Sequence, residues 1–296
     1  MIELICIIVS FNRRDKLETS IQYCLKNGAS KVIIIDNNSK SDVQYLLDGL
    51  VDEEKLFIVR NTTNIGATAA FYQGITFLPE LAKTDSAVVT FLDDDAYISE
   101  TFIHQLSDLD ISNRFIAPKV TDVQGNLLLM NKPLIDLPES LYSTVRYLIH
   151  RPTPTDFNKP QKIRCASFVG LTMKVKLAYQ YKQLLPKDFF LYNDDVYFTA
   201  SMTKNLIDGE FVPQLHVLHD TNDKRRAQSS EKLFFIFRNG VITHHLMSRK
   251  WWWIIISAKT IHYALHILAD DDKHKIKRIG VIFKAISNGY SKLSEK

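Results

Sequence analysis

Three consecutive aspartates, Asp93, Asp94 and Asp95, close an apolar run built from Ala87, Val88, Val89, Phe91 and Leu92. Three carboxylates cannot be buried together without a cation, because like charges raise one another's pKa and desolvation adds to the cost. Along an extended chain Asp93 and Asp95 share a face and Asp94 points away. Two carboxylates on one face suit a hard divalent ion that keeps open positions for phosphate oxygens. The same triplet would also serve as an acidic loop before a helix, with Asp95 or Ser99 as its N-cap.

A second acidic pair, Asp194-Asp195, lies in FFLYNDDVYF at the start of a predicted helix. It is either a capping pair in a first turn or the source of a general base that takes a proton from an attacking hydroxyl. His216 and His219 end the run EFVPQLHVLH. On a strand a separation of three sends the two rings to opposite faces, so at most one reaches a crevice. His219, nearer the strand end, is the candidate third metal ligand, since neutral imidazole accepts borderline ions such as Mn²⁺. Taken alone, either ring could instead be a core or capping histidine. Asp36 either caps the following helix or accepts a hydrogen bond from a base ring N–H. Asn64 and Gly66 make a tight turn before a helix whose amino end favours phosphate. Gly170 interrupts ASFVGLTMKV, where something approaches the backbone closely.

These residues must be held by strand ends. Residues 3–10, 31–35, 56–59 and 87–92 are short, nearly continuous apolar runs, as parallel strands covered on both faces require. Helical spacing follows the first, capped by Asp15 or Thr19, and follows the second at Val43, Leu46, Leu47 and Leu50. An alanine-rich helix through Phe71, Gly74 and Ile75 follows the third. Strand–helix alternation means βαβ units, and open sheets of this kind bind ligands at the carboxyl ends of their strands. Residues 115–120, 166–175 and 210–219 are further predicted strands, 123–126 a turn, and Pro152, Pro154 and Pro160 mark a loop.

The 296 residues carry ordinary globular hydrophobic and charged fractions, 46% and 24%. Three widely separated cysteines argue against a disulfide framework or zinc site and for a reducing compartment. The first residues read as a strand and not as a signal peptide. A net charge of +4 hides an asymmetry, since residues 221–296 carry fifteen Lys/Arg against six Asp/Glu and residues 1–220 carry twenty-two against twenty-seven. A basic tail on an acidic body points to an anionic surface. No basic aromatic platform for nucleic acid is visible.

The ordered set SFNR, DNNS, NIGATAAFYQG, FLDDD, FFLYNDDVYF and VLH resembles the inverting GT-A glycosyltransferases of family two, over roughly residues 3–220. The resemblance implies an α/β fold, Rossmann-like with a mostly parallel sheet flanked by helices, over residues 1–230. It implies that Asp36 recognises the nucleotide base and that Asp93 and Asp95 hold Mn²⁺ or Mg²⁺ against a diphosphate, with His219 completing the metal site. Asp195 would be the base and Asp194 would orient the acceptor. Phe11, Asn12, Arg13, Asn64, Gly66, Asp94 and Gly170 complete the expected substrate contacts, with the Arg13 guanidinium on the diphosphate. The tripled FLDDD and the NIG pattern are most similar to galactofuranosyltransferases that use UDP-galactofuranose. This chain departs from them at Ala67, Thr68, Ala69 and Ala70, where they are glycine-rich, and at Asn193, where they often carry Trp.

Residues 231–296 are expected to be a basic amphipathic helical extension. WWWIIISA is too short to span a bilayer. Ile279, Ile282, Phe283 and Ile286 form a stripe beside Lys275, Lys277, Arg278 and Lys284 that would either lie in a membrane interface or pack on the body or a second subunit. Relatives that extend bacterial surface glycans act on lipid-linked acceptors, so the expectation is a cytoplasmic protein peripheral to the inner face of the plasma membrane. Other readings are the same fold with dTDP-rhamnose, UDP-glucose or UDP-galactose as donor, or a non-catalytic nucleotide-sugar-binding partner.

Overall fold

The computed structural model describes residues 2–40, 53–221, 229–270 and 274–294; the predicted helix through Val43 and Leu50 lies outside them. Four parallel strands form one half of a mixed sheet. They are β1 (Leu4–Ser10), β2 (Lys31–Asp36), β3 (Leu56–Arg60) and β4 (Val88–Asp93), in the order β3-β2-β1-β4. Alternation along β1 sends Ile5 and Ile7 to one face and Leu4, Cys6 and Ile8 to the other. Helix α2 (Ala67–Leu81) covers the first face with Phe71, Ile75 and Leu78. Helices α1 (Arg14–Lys26) and α3 (Phe102–Ser107) cover the second with Leu17, Ile21, Phe102 and Leu106. Burial on both sides is why these strands lack a polar alternation.

The sheet continues past β4 with β8 (Thr172–Lys174), β6 (Arg114–Thr121), β9 (Asp208–His219) and β5 (Ala96–Ile98). Strand β7 (Gln161–Ile163) pairs with β9. β4 meets β8 antiparallel, β6 runs parallel to β9, and β5 runs antiparallel to β9. Register then decides the site. Val9 is level with Asp93 and Ser10 with Asp36, so the carboxyl ends of β4 and β2 flank that of β1. Ala96 is level with His219, which returns the end of β9 to the aspartate turn.

Several local expectations change. After Asp93 the chain turns into β5 and not into a helix, and α3 starts later without a side-chain cap, so neither Asp95 nor Ser99 is an N-cap. Helix α1 begins at Arg14, ahead of both Asp15 and Thr19, and has no side-chain cap. Of residues 166–175 only Thr172–Lys174 is strand, because Gly170 turns the chain at φ 80°. The three cysteines are free and buried.

Helix α4 (Leu141–Ile149) precedes the proline-marked loop, α5 (Val175–Tyr181) follows β8, and α6 (Asp194–Lys204) precedes β9. The chain then forms α7 (Ser230–Met247), α8 (Trp252–Ala269) and α9 (Lys275–Ser294). Ile282 and Ala285 are fully buried with Leu233, Phe237 and Ile267, and Ile279 and Ile286 pack beside them. The predicted stripe on α9 therefore faces α7 and α8 within the chain, apart from Phe283, which stays 60% exposed. Among the described residues no helix is long and apolar enough to cross a membrane.

Candidate active site

The first polar layer is the turn after β1. Ser10 Oγ donates to Asp94 Oδ2 (3.0 Å), and Arg13 Nη1 reaches both Asp94 Oδ1 (3.3 Å) and Asp95 Oδ2 (2.6 Å). Three adjacent carboxylates need a counter-charge, and Arg13 supplies it. Its Nη1 is held by the protein's own acids, while the side chain stays 54% exposed. Asp94 is likewise turned inward, buried on Ser10 and Arg13. Burial pushes its carboxyl up to about 7, against the pull of Arg13. Phe11 stays 44% exposed. Asn12, at φ 58°, donates its N–H to Ser39 Oγ (2.9 Å) and accepts from Lys40 N–H (2.8 Å), tying the β1 and β2 ends together. Asp36 is fully buried at the end of β2. Its Oδ1 accepts from Ser39 N–H (3.0 Å), while Oδ2 accepts no hydrogen bond and has Arg60 Nε 3.6 Å away.

Asp93, Asp95 and His219 converge, with one donor atom from each within 4.8 Å of the others. His219 Nε2 lies 3.2 Å from Asp95 Oδ1 and 3.9 Å from Asp93 Oδ2. Its other nitrogen, Nδ1, lies 3.0 Å from Asn131 Oδ1. Asn131 Nδ2 donates to Ser167 Oγ (3.1 Å), which turns the amide oxygen toward the ring. Nδ1 then carries the proton of the neutral ring, and the Nε2 lone pair faces two carboxylates. That arrangement repels itself unless a cation or a proton stands between, so the donor set fits a divalent ion. Burial opposes charge on His219, but the Asp95 hydrogen bond and both carboxylates outweigh it and raise its pKa. Burial opposes ionisation of Asp95 too, yet His219, Arg13 and Lys16 hold it below the usual carboxylate range. His216 points elsewhere, with Nε2 on Thr121 Oγ1 (2.8 Å).

The second acidic group opens α6. Asp195 Oδ1 accepts from Val196 N–H (2.7 Å). Burial, then the neighbouring Asp194 charge, raises Asp195 to about 7, and Asp93 contributes from across the site. Asp194 is buried and accepts from Thr68 Oγ1 (2.9 Å) on the first turn of α2. That bond fastens α6 to α2. The amino end of α2 is occupied in the same way, since Ala67 N–H donates to the Phe190 carbonyl (3.0 Å). Asn64 accepts from Gly66 N–H (3.0 Å), and Gly66, at φ 84°, lies so near Phe190 that a Cβ would fall 2.6 Å from its carbonyl oxygen. Gly170 has a similar cause. A Cβ there would fall 2.4 Å from Pro118 Cγ and 2.8 Å from Val217 Cγ2, so packing within the protein demands the glycine.

Two residues outside the sequence expectations hold this second group in place. Tyr192 and Asn193 precede Asp194 in left-handed conformations, φ 68° and 65°, which side chains other than glycine rarely adopt. From α7, Asn239 Nδ2 donates to the carbonyls of Leu191 (2.7 Å) and Tyr192 (3.0 Å). Arg238 donates to the Asp188 carbonyl (2.7 Å) and carboxylate (2.6 Å). The only signal in the sequence was a polar Arg-Asn pair inside an apolar helical run. Asn131 left none.

The profile of Glycosyl transferase family 2 matches residues 5–180. Among solved structures the chain is similar to GalNAc-T7, crystallised with UDP, GalNAc and Mn²⁺, at 14% identity and a TM-score of 0.57 over 89% of this chain and 58% of that one. It is also similar to S. aureus TarS, at 13% identity and a TM-score of 0.52 over 98% of this chain and 44% of that one. The TarS 1–349 complex with UDP gives a TM-score of 0.53 at 13% identity, over 95% of this chain and 71% of that one. This chain thus spans about half the length of the first two, and likeness at such identity concerns the fold. No curated protein sequence matches significantly.

Proposed function

Because the chain belongs to glycosyl transferase family 2 and has the GT-A fold, we propose that it is an inverting, metal-dependent hexosyltransferase. It takes galactofuranose from UDP-galactofuranose to a hydroxyl of a cell-surface polysaccharide or lipid-linked glycan. The observation that carries this reading is the meeting of Asp93, Asp95 and His219 at one point, with Asp195 within electrostatic reach of Asp93. These three residues would hold Mn²⁺ or Mg²⁺, and the imidazole favours Mn²⁺. When bound, the ion offsets the negative charge that builds on the departing diphosphate.

The chain's own groups do the rest. Asp36, whose buried Oδ2 has Arg60 beside it but accepts no hydrogen bond, accepts from the base ring N–H. Asp195, partly exposed at the start of α6 and shifted toward neutral pH, takes the acceptor hydroxyl's proton as that oxygen attacks the anomeric carbon. One displacement with one base inverts the configuration. Residues 1–230 carry the catalytic body and residues 231–296 a helical extension whose α7 braces the base. The galactofuranose assignment rests on the FLDDD and NIG patterns alone. The protein works at the inner face of the plasma membrane as a peripheral enzyme.

A donor panel with Mn²⁺ tests the reading, using UDP-galactofuranose, UDP-galactose, UDP-glucose, UDP-GlcNAc and dTDP-rhamnose. Turnover with one of the last four alone would overturn the sugar. Asp195→Asn is expected to keep UDP binding and lose transfer by about 10²–10⁴-fold. Unchanged transfer would dismiss Asp195 as base, and absence of turnover with every donor would favour a non-catalytic binding partner.

A further inference from the structure

Nineteen large apolar side chains stand exposed among the described residues, and twelve of them lie on α4, α8 and α9. Apolar residues scattered singly over a surface need no explanation, whereas a concentration of this size marks an interaction face. Helix α4, LYSTVRYLI, buries only Thr144 and leaves Leu141, Tyr142, Val145, Leu148 and Ile149 exposed. Helix α8 exposes Trp253, Ile261, Leu265 and Leu268, at steps of eight, four and three residues, which is one helix face. Helix α9 adds Ile276, Phe283 and Tyr290 at steps of seven. α8 packs against both α4 and α9, so the three helices adjoin.

The same region is basic. Residues 249–294 carry nine Lys/Arg against three Asp/Glu. Arg151, Arg249, Lys250, Lys277 and Lys284 are exposed around the apolar side chains. We infer that α4, α8 and α9 form a docking face for an anionic lipid bilayer, with Trp, Tyr and the aliphatic residues at headgroup level and the cations on the lipid phosphates. A second copy of the chain fits this face less well. A two-fold contact would set each cationic patch against itself, whereas anionic headgroups complement it. The face differs from the one predicted in sequence. Ile279, Ile282 and Ile286 are spent inside the molecule, and α4 contributes from the middle of the chain. Helix α4 is also near the base, because its inward-facing Tyr147 and Val196, the neighbour of Asp195, pack against one buried cluster. Given the transferase reading, an acceptor anchored in that bilayer would approach Asp195 from the docked side.

The test is flotation of the full chain with vesicles of phosphatidylcholine, alone or with phosphatidylglycerol added. The parent protein is expected to float with the anionic vesicles and to be released by high salt. A variant carrying Leu148→Ser, Ile149→Ser, Ile261→Ser and Leu265→Ser is expected to bind them at least about tenfold more weakly while still binding UDP. Three results would overturn the inference. They are a parent that stays unbound to both vesicle types, a variant that floats as well as the parent, and a parent dimer in solution that the variant converts to a monomer. Flotation needs neither donor nor acceptor, so its failure leaves the transferase reading standing, and a silent donor panel leaves the flotation result standing.

Discussion

His219 Nδ1 and Asn131 Oδ1 lie 3.0 Å apart, and this contact aims the other imidazole nitrogen at Asp93 and Asp95. Partners of this kind fix the tautomer and orientation of a metal-binding histidine. Asn131→Ala is expected to weaken Mn²⁺ binding by about 10–100-fold, read by calorimetry in the presence of UDP. Equal affinity in the variant would show that the ring needs no such support.

The rate of transfer is expected to rise with pH along a limb near neutrality. Burial and the Asp194 charge raise Asp195 to about 7, and a base works only once deprotonated. Removing the neighbouring charge lowers that pKa. Asp194→Asn should therefore move the limb of the kcat profile to lower pH, and a limb that stays in place would mean that Asp195 does not feel its neighbour.

Asn239→Ala leaves the carbonyls of Leu191 and Tyr192 without their donor. Its expected cost is about 1–3 kcal/mol of stability, measured by urea unfolding. The turn that delivers Asp195 also loosens, so kcat should fall by more than the donor KM changes. A variant that loses stability but keeps kcat would reduce Asn239 to a purely structural role.

Gly170→Ala separates packing from substrate contact. The left-handed φ and the approach of Pro118 and Val217 together predict a loss of about 2–4 kcal/mol. Thermal denaturation should register that loss while the donor KM stays unchanged. A raised KM at unchanged stability would point to a substrate contact at Gly170.

The sheet half that runs through β1 to β4 was legible because both its faces are buried, and continuous apolar runs are what such strands require. The aspartates that close β4 were legible as a group needing positive charge, since adjacent carboxylates repel, and in the fold Arg13 and His219 come to them. Other local signals left their partner open. Gly66 and Gly170 announce close approach, but a sequence does not say whether ligand or protein approaches. Here Phe190, Pro118 and Val217 do. Asp194 and Arg13 announce chemistry, and the fold gives each an internal partner as well, Thr68 for the one and Asp94 with Asp95 for the other.

The chain by itself determined which residue types stand at each strand end, because burial, charge repulsion and backbone periodicity act locally. Only the tertiary structure decided which of those ends meet. The antiparallel pairing that sets Ala96 level with His219 brings an imidazole to the aspartates across more than a hundred residues. α7 reaches back to hold the turn before Asp194 with Arg238 and Asn239. Neither contact has a local cause. Each depends on long-range pairing and packing, whose entropic cost is repaid only when the whole sheet and its covering helices form together.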